Sequence, residues 1–382
     1  MDIALFDYGL DPINPVGKCN LRLVEALWPT RNFTVFSSWF CNPNPGRIRW
    51  VRVPALTRPL ALLFVSYHVL APIFYWAERA RRKSRFDHVQ TVGSSLSFGD
   101  VCYSHFCHRA YLKRHWKQSR PKGSRRFFYW LTHRLHALME PWVYRRVKYI
   151  VVPSQGLARE LTSEYPYTRN KIHIIPNAVE VERMCPPAEF DRDEFRAGLG
   201  FSPKNVVLVF VAVGAYERKG LPLLLEAMSR VGDPYLRLLV VGGPPDLVAN
   251  YQQKVVKVGL DGQVVFVGYQ RDVGPYLWAA DAFAFPSFYE VFPLVALESA
   301  AAGLPLLVSH LNGVEEFLRD GENGILLERT PEGVAEGVRK FLAMPPEARR
   351  AMGERARLDA RPYSSENFVA AWRTFYEGLD AA

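Results

Sequence analysis

Mostly apolar runs of four to eight residues recur along the chain, each ended by glycine, proline or polar residues and followed by a stretch with helical spacing. In the carboxyl half the runs are Val206 to Val213, Leu236 to Val241, Val264 to Val267, Ala282 to Phe285 and Leu306 to Ser309. In the amino half they are Ile3 to Phe6, Phe33 to Ser37, Ile48 to Val53, His88 to Val92, Val101 to His105, Tyr149 to Val152 and KIHIIP at 171–176. Between them lie amphipathic patterns such as 18–28, with Leu21, Val24 and Leu27 on one stripe, and QGLARELTSEY, which Ser154 is placed to cap. Strand–helix repeats of this kind predict an α/β protein of doubly wound parallel sheets, whose ligands meet the loops at the carboxyl ends of the strands. No period of 20–50 residues is present, so the halves share architecture rather than sequence. The division predicted is a first Rossmann-like domain over 1–182, a second over 183–362, and a terminal helix over 363–382 that packs back on the first; the polar, proline-bearing stretch 181–205 reads as the linker. Asp191-Arg192-Asp193 within it reads as capping charge rather than a metal site.

A length of 382 residues accommodates two such cores, and 49% hydrophobic with 23% charged residues describes a folded globular chain. The start, MDIALFDYG, reads as neither signal peptide nor anchor, and the longest apolar stretch, Leu60 to Trp76, contains His68 and Pro72 and is short for a membrane span. Five scattered cysteines fit a reducing compartment. A cytoplasmic protein is the expectation.

Charge changes this picture. Residues 1–180 hold 27 Lys and Arg against 11 Asp and Glu, a balance of +16, while the remainder, with 21 against 27, carries −6. Two segments concentrate the excess. Residues 60–85 join apolar and aromatic positions to Arg79, Arg81, Arg82, Lys83 and Arg85; residues 109–148 set twelve cations against Glu140 alone, among Trp116, Phe127, Phe128, Tyr129, Trp130 and Trp142. Cations beside aromatic rings suit the interface of an anionic bilayer, and equally a nucleic-acid backbone, an anionic acceptor, or a helix with a solvated basic face and a buried aromatic one. The expectation adopted is peripheral attachment to an anionic membrane surface, with no nucleic acid. The spacing Cys102-x-x-His105-x-Cys107-His108 lacks a second, distant ligand pair, so no metal is expected there; His105, at a strand end, is better placed to touch a donor or acceptor, with a satisfied structural histidine as the competing reading.

The richest chemistry lies in DAFAFPSFYEVFPLVALESAAAGLP, residues 281–305. A strand stops at Pro286, Glu290 follows in a loop, and a helix runs on toward Gly303. Free N–H groups of its first turn and two carboxylates, Glu290 and Glu298, suit a ligand bearing a diphosphate and hydroxyls. Gly214 to Gly220, GAYERKG, places Arg218 and Lys219 in a strand-to-helix loop, a compact site for a dianion. Gly17 begins a helix after the first strand, where backbone can approach a phosphate; an ordinary loop glycine explains it equally well. Strands also run into Gly242-Gly243 and Gly268.

These segments, with VVPSQGLAREL, KIHIIPNAVE, AADAFAFPSFYE and NGVEEFLRDGENGILL, resemble the retaining GT-B glycosyltransferases, in particular glycosyltransferase family four. The likeness is strongest over 149–330 and weaker over 1–30 and 98–112. It implies a GT-B fold with a central cleft between two Rossmann-like domains, and transfer of a sugar from a UDP- or GDP-sugar to a lipid-linked or polysaccharide acceptor in cell-envelope glycan synthesis. It implies that Arg218 and Lys219 bind the diphosphate, that Glu298 holds the ribose hydroxyls, and that Glu290 contacts the transferred sugar. The N–H groups near Phe292 and Leu294 would face the phosphate, with Gly214, Gly243 and Gly17 close to the nucleotide, His105 on the sugar and acceptor side, and Gly268 and Arg271 framing the base. No cofactor is implied, because two cations and a helix start can replace a divalent ion at the leaving group. Retention would proceed by front-face attack or through a covalent intermediate on Glu290. A GT-B epimerase or phosphorylase, and a non-enzymatic basic membrane- or nucleic-acid-binding protein, are the rival readings. Two departures from the family pattern stand out: Pro293 removes one N–H, and the loop DYGLDPINPVGKCN lacks a double glycine.

Overall fold

The computed structural model describes residues 1–120, 123 and 125–381. Lys122, part of the basic segment 109–148, lies outside the described residues. The chain divides into two compact units: residues 1–178 with 366–382, and residues 179–365.

The first unit contains β1 (Asp2–Phe6), β2 (Gly9–Leu10), β3 (Asn32–Ser37), β4 (Trp39–Phe40), β5 (Arg49–Arg52), β6 (His88–Val92), β7 (Val101–Tyr103), β8 (Tyr149–Val152) and β9 (Ile172–Ile174). Seven of these form one parallel sheet in the order β5-β3-β1-β6-β7-β8-β9, and β2 pairs with β4 apart from it. β1 sits centrally because its residues Ile3 to Phe6 are wholly buried. Phe6 stacks on Phe36 of β3 at 4.5 Å between ring centroids. β7 stops at Tyr103, so His105 lies in the loop beyond the strand rather than in it.

A helix of 23 residues spans Leu60–Arg82 and passes through Pro72. Proline removes one backbone N–H, and the surrounding turns hold the helix together across it. This corrects the expectation that the stretch is short: among the described residues it is the one helix long and apolar enough, by length and composition, to cross a membrane. Its inner face, Ala61, Phe64, Tyr67, Ala71, Tyr75 and Glu78, is buried. Glu78 accepts from Arg49 at 2.6 Å and from Arg81 at 2.7 Å. Although burial alone raises a carboxyl, these two guanidinium groups bring it down to about 2.

The basic segment forms short helical pieces, including a π-helical turn at Tyr111–His115, and then the helix Arg125–Arg146. Its linear charge count overstates its free charge. Glu164, from outside the segment and with its side chain 4% exposed, receives Lys113 at 2.6 Å, Arg114 at 3.1 Å and Arg109 at 3.6 Å. Glu140 is buried and accepts from the His108 N–H at 2.5 Å and from Tyr165 Oη at 2.7 Å. Trp116 is buried, yet Phe127, Phe128, Tyr129, Trp130 and Trp142 are exposed. The terminal segment joins this unit through Trp372 and Tyr376, both fully buried, with Tyr376 Oη donating to Gln90 Oε1 at 2.6 Å.

The second unit contains β10 (Val206–Val211), β11 (Leu236–Val241), β12 (Val264–Gly268), β13 (Ala282–Phe285), β14 (Leu306–Ser309) and β15 (Gly324–Leu327). They form a parallel sheet in the order β12-β11-β10-β13-β14-β15, whose order reverses direction between β10 and β13. Ligands of open α/β sheets bind at such a reversal, beyond the carboxyl ends of the strands. The 181–205 stretch is not a free linker: Met184 and Phe201 are buried in this core. Asp191 caps the helix Arg192–Gly198, as its spacing predicts, by accepting from the N–H groups of Asp193 and Glu194, each at 2.9 Å. Arg192 and Arg196 meet Asp281 at 2.7 and 3.3 Å, and the Val207 N–H donates to the same carboxylate at 2.7 Å. That tie anchors the start of β10 beside β13.

Candidate active site

β10 ends at Val211, and the chain turns through Ala215, whose φ of 52° is left-handed, into the single helical turn Tyr216–Lys219. β13 ends at Phe285, and Pro286 begins the loop that carries Glu290. The two loops are pressed together at Gly220. Its φ is +86°, and a Cβ there would fall 2.1 Å from the Pro286 carbonyl oxygen, so glycine is demanded by both conformation and space. The Phe288 N–H donates to the Arg218 carbonyl at 2.9 Å and Ser287 Oγ to the same oxygen at 3.2 Å.

That apposition brings three predicted residues onto one atom. Arg218 Nη1 and Lys219 Nζ reach Glu290 Oε1 at 2.9 and 3.1 Å, and Ser287 Oγ reaches it at 3.3 Å. Arg218 Nη1 also donates to the Tyr289 carbonyl at 2.6 Å. Lys219 Nζ lies over the Phe285 ring, 4.9 Å from its centroid. The side chains of Arg218, Lys219 and Glu290 are 25, 17 and 13% exposed, so the cluster is desolvated without being sealed. Burial raises the Glu290 carboxyl, but Arg218 and Lys219 outweigh it and hold the group below its ordinary value. Burial lowers the Lys219 ammonium, with Glu290 acting against that. Glu290 thus opposes the loss of charge that burial favours at Lys219. Two cations sharing one carboxylate can exchange that partner for an entering dianion.

Around the cluster lie the other strand ends. Gly242 (φ +97°) approaches the Ala212 carbonyl so closely that a Cβ would sit 2.4 Å from its oxygen, and Tyr216 Oη donates to the Gly242 carbonyl at 2.5 Å. Gly243 follows with φ +96°, and the Gly242 N–H donates to the Gly268 carbonyl at 2.7 Å. Added Cβ atoms at Gly214 and Gly268 would meet nothing within 4 Å, so both border open space. Arg271 is exposed in the loop after β12. Phe292 is buried against Gly313, and Leu294 opens the helix Leu294–Ala301 behind Pro293, with Glu298 half-buried within it. Ser287 and the Tyr289 carbonyl were not legible as site groups; the one signal for Ser287 was its place directly after Pro286 at a strand end.

In the first unit, Gly17 falls within the first turn of the helix Pro15–Leu27, and a Cβ there would meet the Gly9 carbonyl oxygen at 2.6 Å. Packing onto β2 therefore accounts for this glycine by itself. His105 Nε2 is buried and unpartnered among the described residues, and burial brings the imidazole down to about 3. Cys102 Sγ donates to the Gly93 carbonyl at 3.2 Å.

Comparison with known proteins bears on the family and the fold. Residues 191–359 match the glycosyl transferases group 1 family and residues 21–183 match glycosyltransferase family 4, between them most of the chain. The lipopolysaccharide core biosynthesis glycosyltransferase LpsE of Rhizobium meliloti is 32% identical over 201 residues, 52% of this chain and 55% of LpsE. The chain spans about half the length of the curated relatives it matches. Among solved structures, sucrose-phosphate synthase from Thermosynechococcus elongatus superposes with a TM-score of 0.78 at 19% identity, covering 100% of this chain and 99% of that one. Anabaena HepE in complex with UDP-glucose gives 0.74 at 16% identity, covering 100% of both chains. At such identities the structures speak to the fold, which is α/β with parallel sheets in two domains. The chain belongs to the GT-B glycosyltransferases of family 4.

Proposed function

We propose that this protein is a retaining, metal-independent glycosyltransferase that moves a sugar from a UDP- or GDP-sugar to a lipid-linked or polysaccharide acceptor. The observation that carries the reading is the convergence of Arg218 and Lys219 on Glu290 at the carboxyl edge of the sheet. Glycosyl transfer builds positive charge on the sugar while negative charge grows on the departing diphosphate. Arg218 and Lys219 stand ready to take that negative charge, and Glu290, relieved of them, lies beside the sugar that bears the positive charge. The free N–H groups at the start of the helix Leu294–Ala301 add a fixed positive potential. Glu298 would hold the ribose, Gly268 and Arg271 the base, and His105 the acceptor side. HepE was solved with UDP-glucose and LpsE is named for lipopolysaccharide core synthesis, which supports a nucleotide-sugar donor and an envelope-glycan acceptor. The basic segments 60–85 and 109–148 would bring the enzyme to an anionic membrane surface, on its cytoplasmic side.

A thermal-shift panel of nucleotide sugars tests the donor, because a ligand that binds only the folded state raises Tm by mass action. A UDP- or GDP-sugar should raise Tm in the wild type and not in Arg218→Ala, and the same sugar should be transferred with its anomeric configuration kept. Equal shifts in both proteins would remove Arg218 from the donor site.

A further inference from the structure

The helix Leu60–Arg82 has two apolar faces, and only one is used by the fold. Leu62, Val65, Val69, Ile73 and Trp76 recur at intervals of three and four residues, so they form one stripe about 21 Å long at ~1.5 Å per residue. Their exposures are 46, 47, 59, 58 and 54%. Tyr67, Ala71 and Tyr75, on the opposite side, are buried in the core with Phe6 and Phe36, and Phe64 is buried against His136. A helix fixed along one side to a protein core cannot enter a bilayer end-on. Its length and hydropathy therefore do not make it a span; what is free is a flank.

The stripe ends in cations. The Arg79 guanidinium lies over the Trp76 ring, 4.8 Å from its centroid, and Lys83 and Arg85 follow, both exposed. The only acid between Pro59 and Phe86 is Glu78, which is buried and held by Arg49 and Arg81. An apolar ridge closed by a tryptophan and by basic residues that pair with no acid among the described residues matches the hydrocarbon–headgroup boundary of an anionic bilayer. A second protein copy fits less well. A stable interface buries about 800 Å² on each side and ends in a mixed polar rim, whereas this ridge is one helix-face wide and its charged end is cationic.

We propose that this stripe is inserted, lying flat, into the interfacial zone of an anionic membrane, with Arg79, Lys83 and Arg85 at the headgroups. The inference rests on the reading above that the enzyme works at a membrane surface, and it changes what holds the enzyme there. Attraction by the basic segments alone is lost in salt; burial of apolar side chains is not.

The test uses the full chain and vesicles of phosphatidylcholine with about 30% phosphatidylglycerol. The wild type should float with them in low salt, and at least half of the bound protein should remain at 500 mM NaCl. Val69→Glu/Ile73→Glu should bind at least tenfold more weakly at high salt, with an unchanged Tm and an unchanged UDP-induced thermal shift. Brominated acyl chains should quench fluorescence in the wild type and less in Trp76→Phe. If the double variant floats as the wild type does and the Trp76→Phe difference is nil, the stripe is not inserted, and attachment by the basic segments stands alone. If the wild type is dimeric without lipid and the double variant monomeric, with flotation equal in both, the stripe is a self-association face and the proposal is wrong. If the wild type binds no vesicle, the membrane reading falls with it, while the thermal-shift panel still judges the transferase reading.

Discussion

Glu290→Ala isolates the electrostatics of the site. In the native protein Arg218 and Lys219 both stand about 3 Å from one oxygen of Glu290, with most of each side chain out of water. Removing the carboxylate leaves two cations facing each other; at about 6 Å and an effective dielectric of ~20 their repulsion is roughly 3 kcal/mol. Breaking a buried ion pair by deleting one partner typically costs about 3–5 kcal/mol. The lower end applies here, because Arg218 is a quarter exposed and Lys219, whose ammonium burial already disfavours, can lose its proton. For a unit of residues 179–365, about 3 kcal/mol corresponds to a fall in Tm of roughly 6–12 °C. A diphosphate replaces the missing negative charge, so UDP should raise Tm more in Glu290→Ala than in the wild type, although transfer is lost. Differential scanning calorimetry with and without UDP gives both numbers. A Tm within 1 °C of the wild type, together with an equal UDP shift, would refute the idea that this carboxylate holds the two cations.

Four further outcomes follow from the geometry. Arg218→Ala should lower kcat/KM by about 10²–10³, the usual loss on deleting one group that stabilises developing charge, with the fold intact by circular dichroism. Gly220→Ala must either open the contact with Pro286 or leave its left-handed φ, so activity should fall together with a loss of stability of more than about 1 kcal/mol in urea titration. Asp281→Asn takes the charge from a carboxylate that pairs Arg192 and buried Arg196, and should cost about 2–4 kcal/mol without altering UDP affinity, since the tie lies before β13 rather than after it. Burial brings the His105 and His136 imidazoles down to about 3, so these rings stay neutral in the native state while the unfolded chain binds protons below its ordinary value near 6.5. Their contribution is therefore intact above pH 6.5 and lost on acidification, by about 2 kcal/mol each at pH 5, and His136→Asn should remove its share of that slope.

Much of the second unit could be read from the chain because its strands are mostly apolar runs, those of β10, β11 and β12 leading into glycine loops, a pattern that admits few other folds. β15 escaped because GILL is brief and lies among charged residues, and β2 and β4 because two-residue strands carry no periodicity. The length of the 60–82 helix was hidden by His68 and Pro72, which look like interruptions. The ring of His68 instead bonds within the helix, Nδ1 to the Phe64 carbonyl at 2.8 Å. Site residue types were legible from spacing, but their pairing was not. That Arg218 and Lys219 share a single oxygen with a partner 72 and 71 positions away depends on how Gly220 and Pro286 close two loops, and no local pattern encodes that. Charge told the least, since Glu164 neutralises cations fifty positions away in the chain.

The measurement that bears most directly on the central claim is a crystal structure with UDP bound. Diphosphate oxygens should lie about 2.7–3.1 Å from Arg218 Nη1 and Lys219 Nζ, with Glu290 Oε1 released from at least one of them. A nucleotide held elsewhere in the second unit, with both cations still on Glu290, would contradict it.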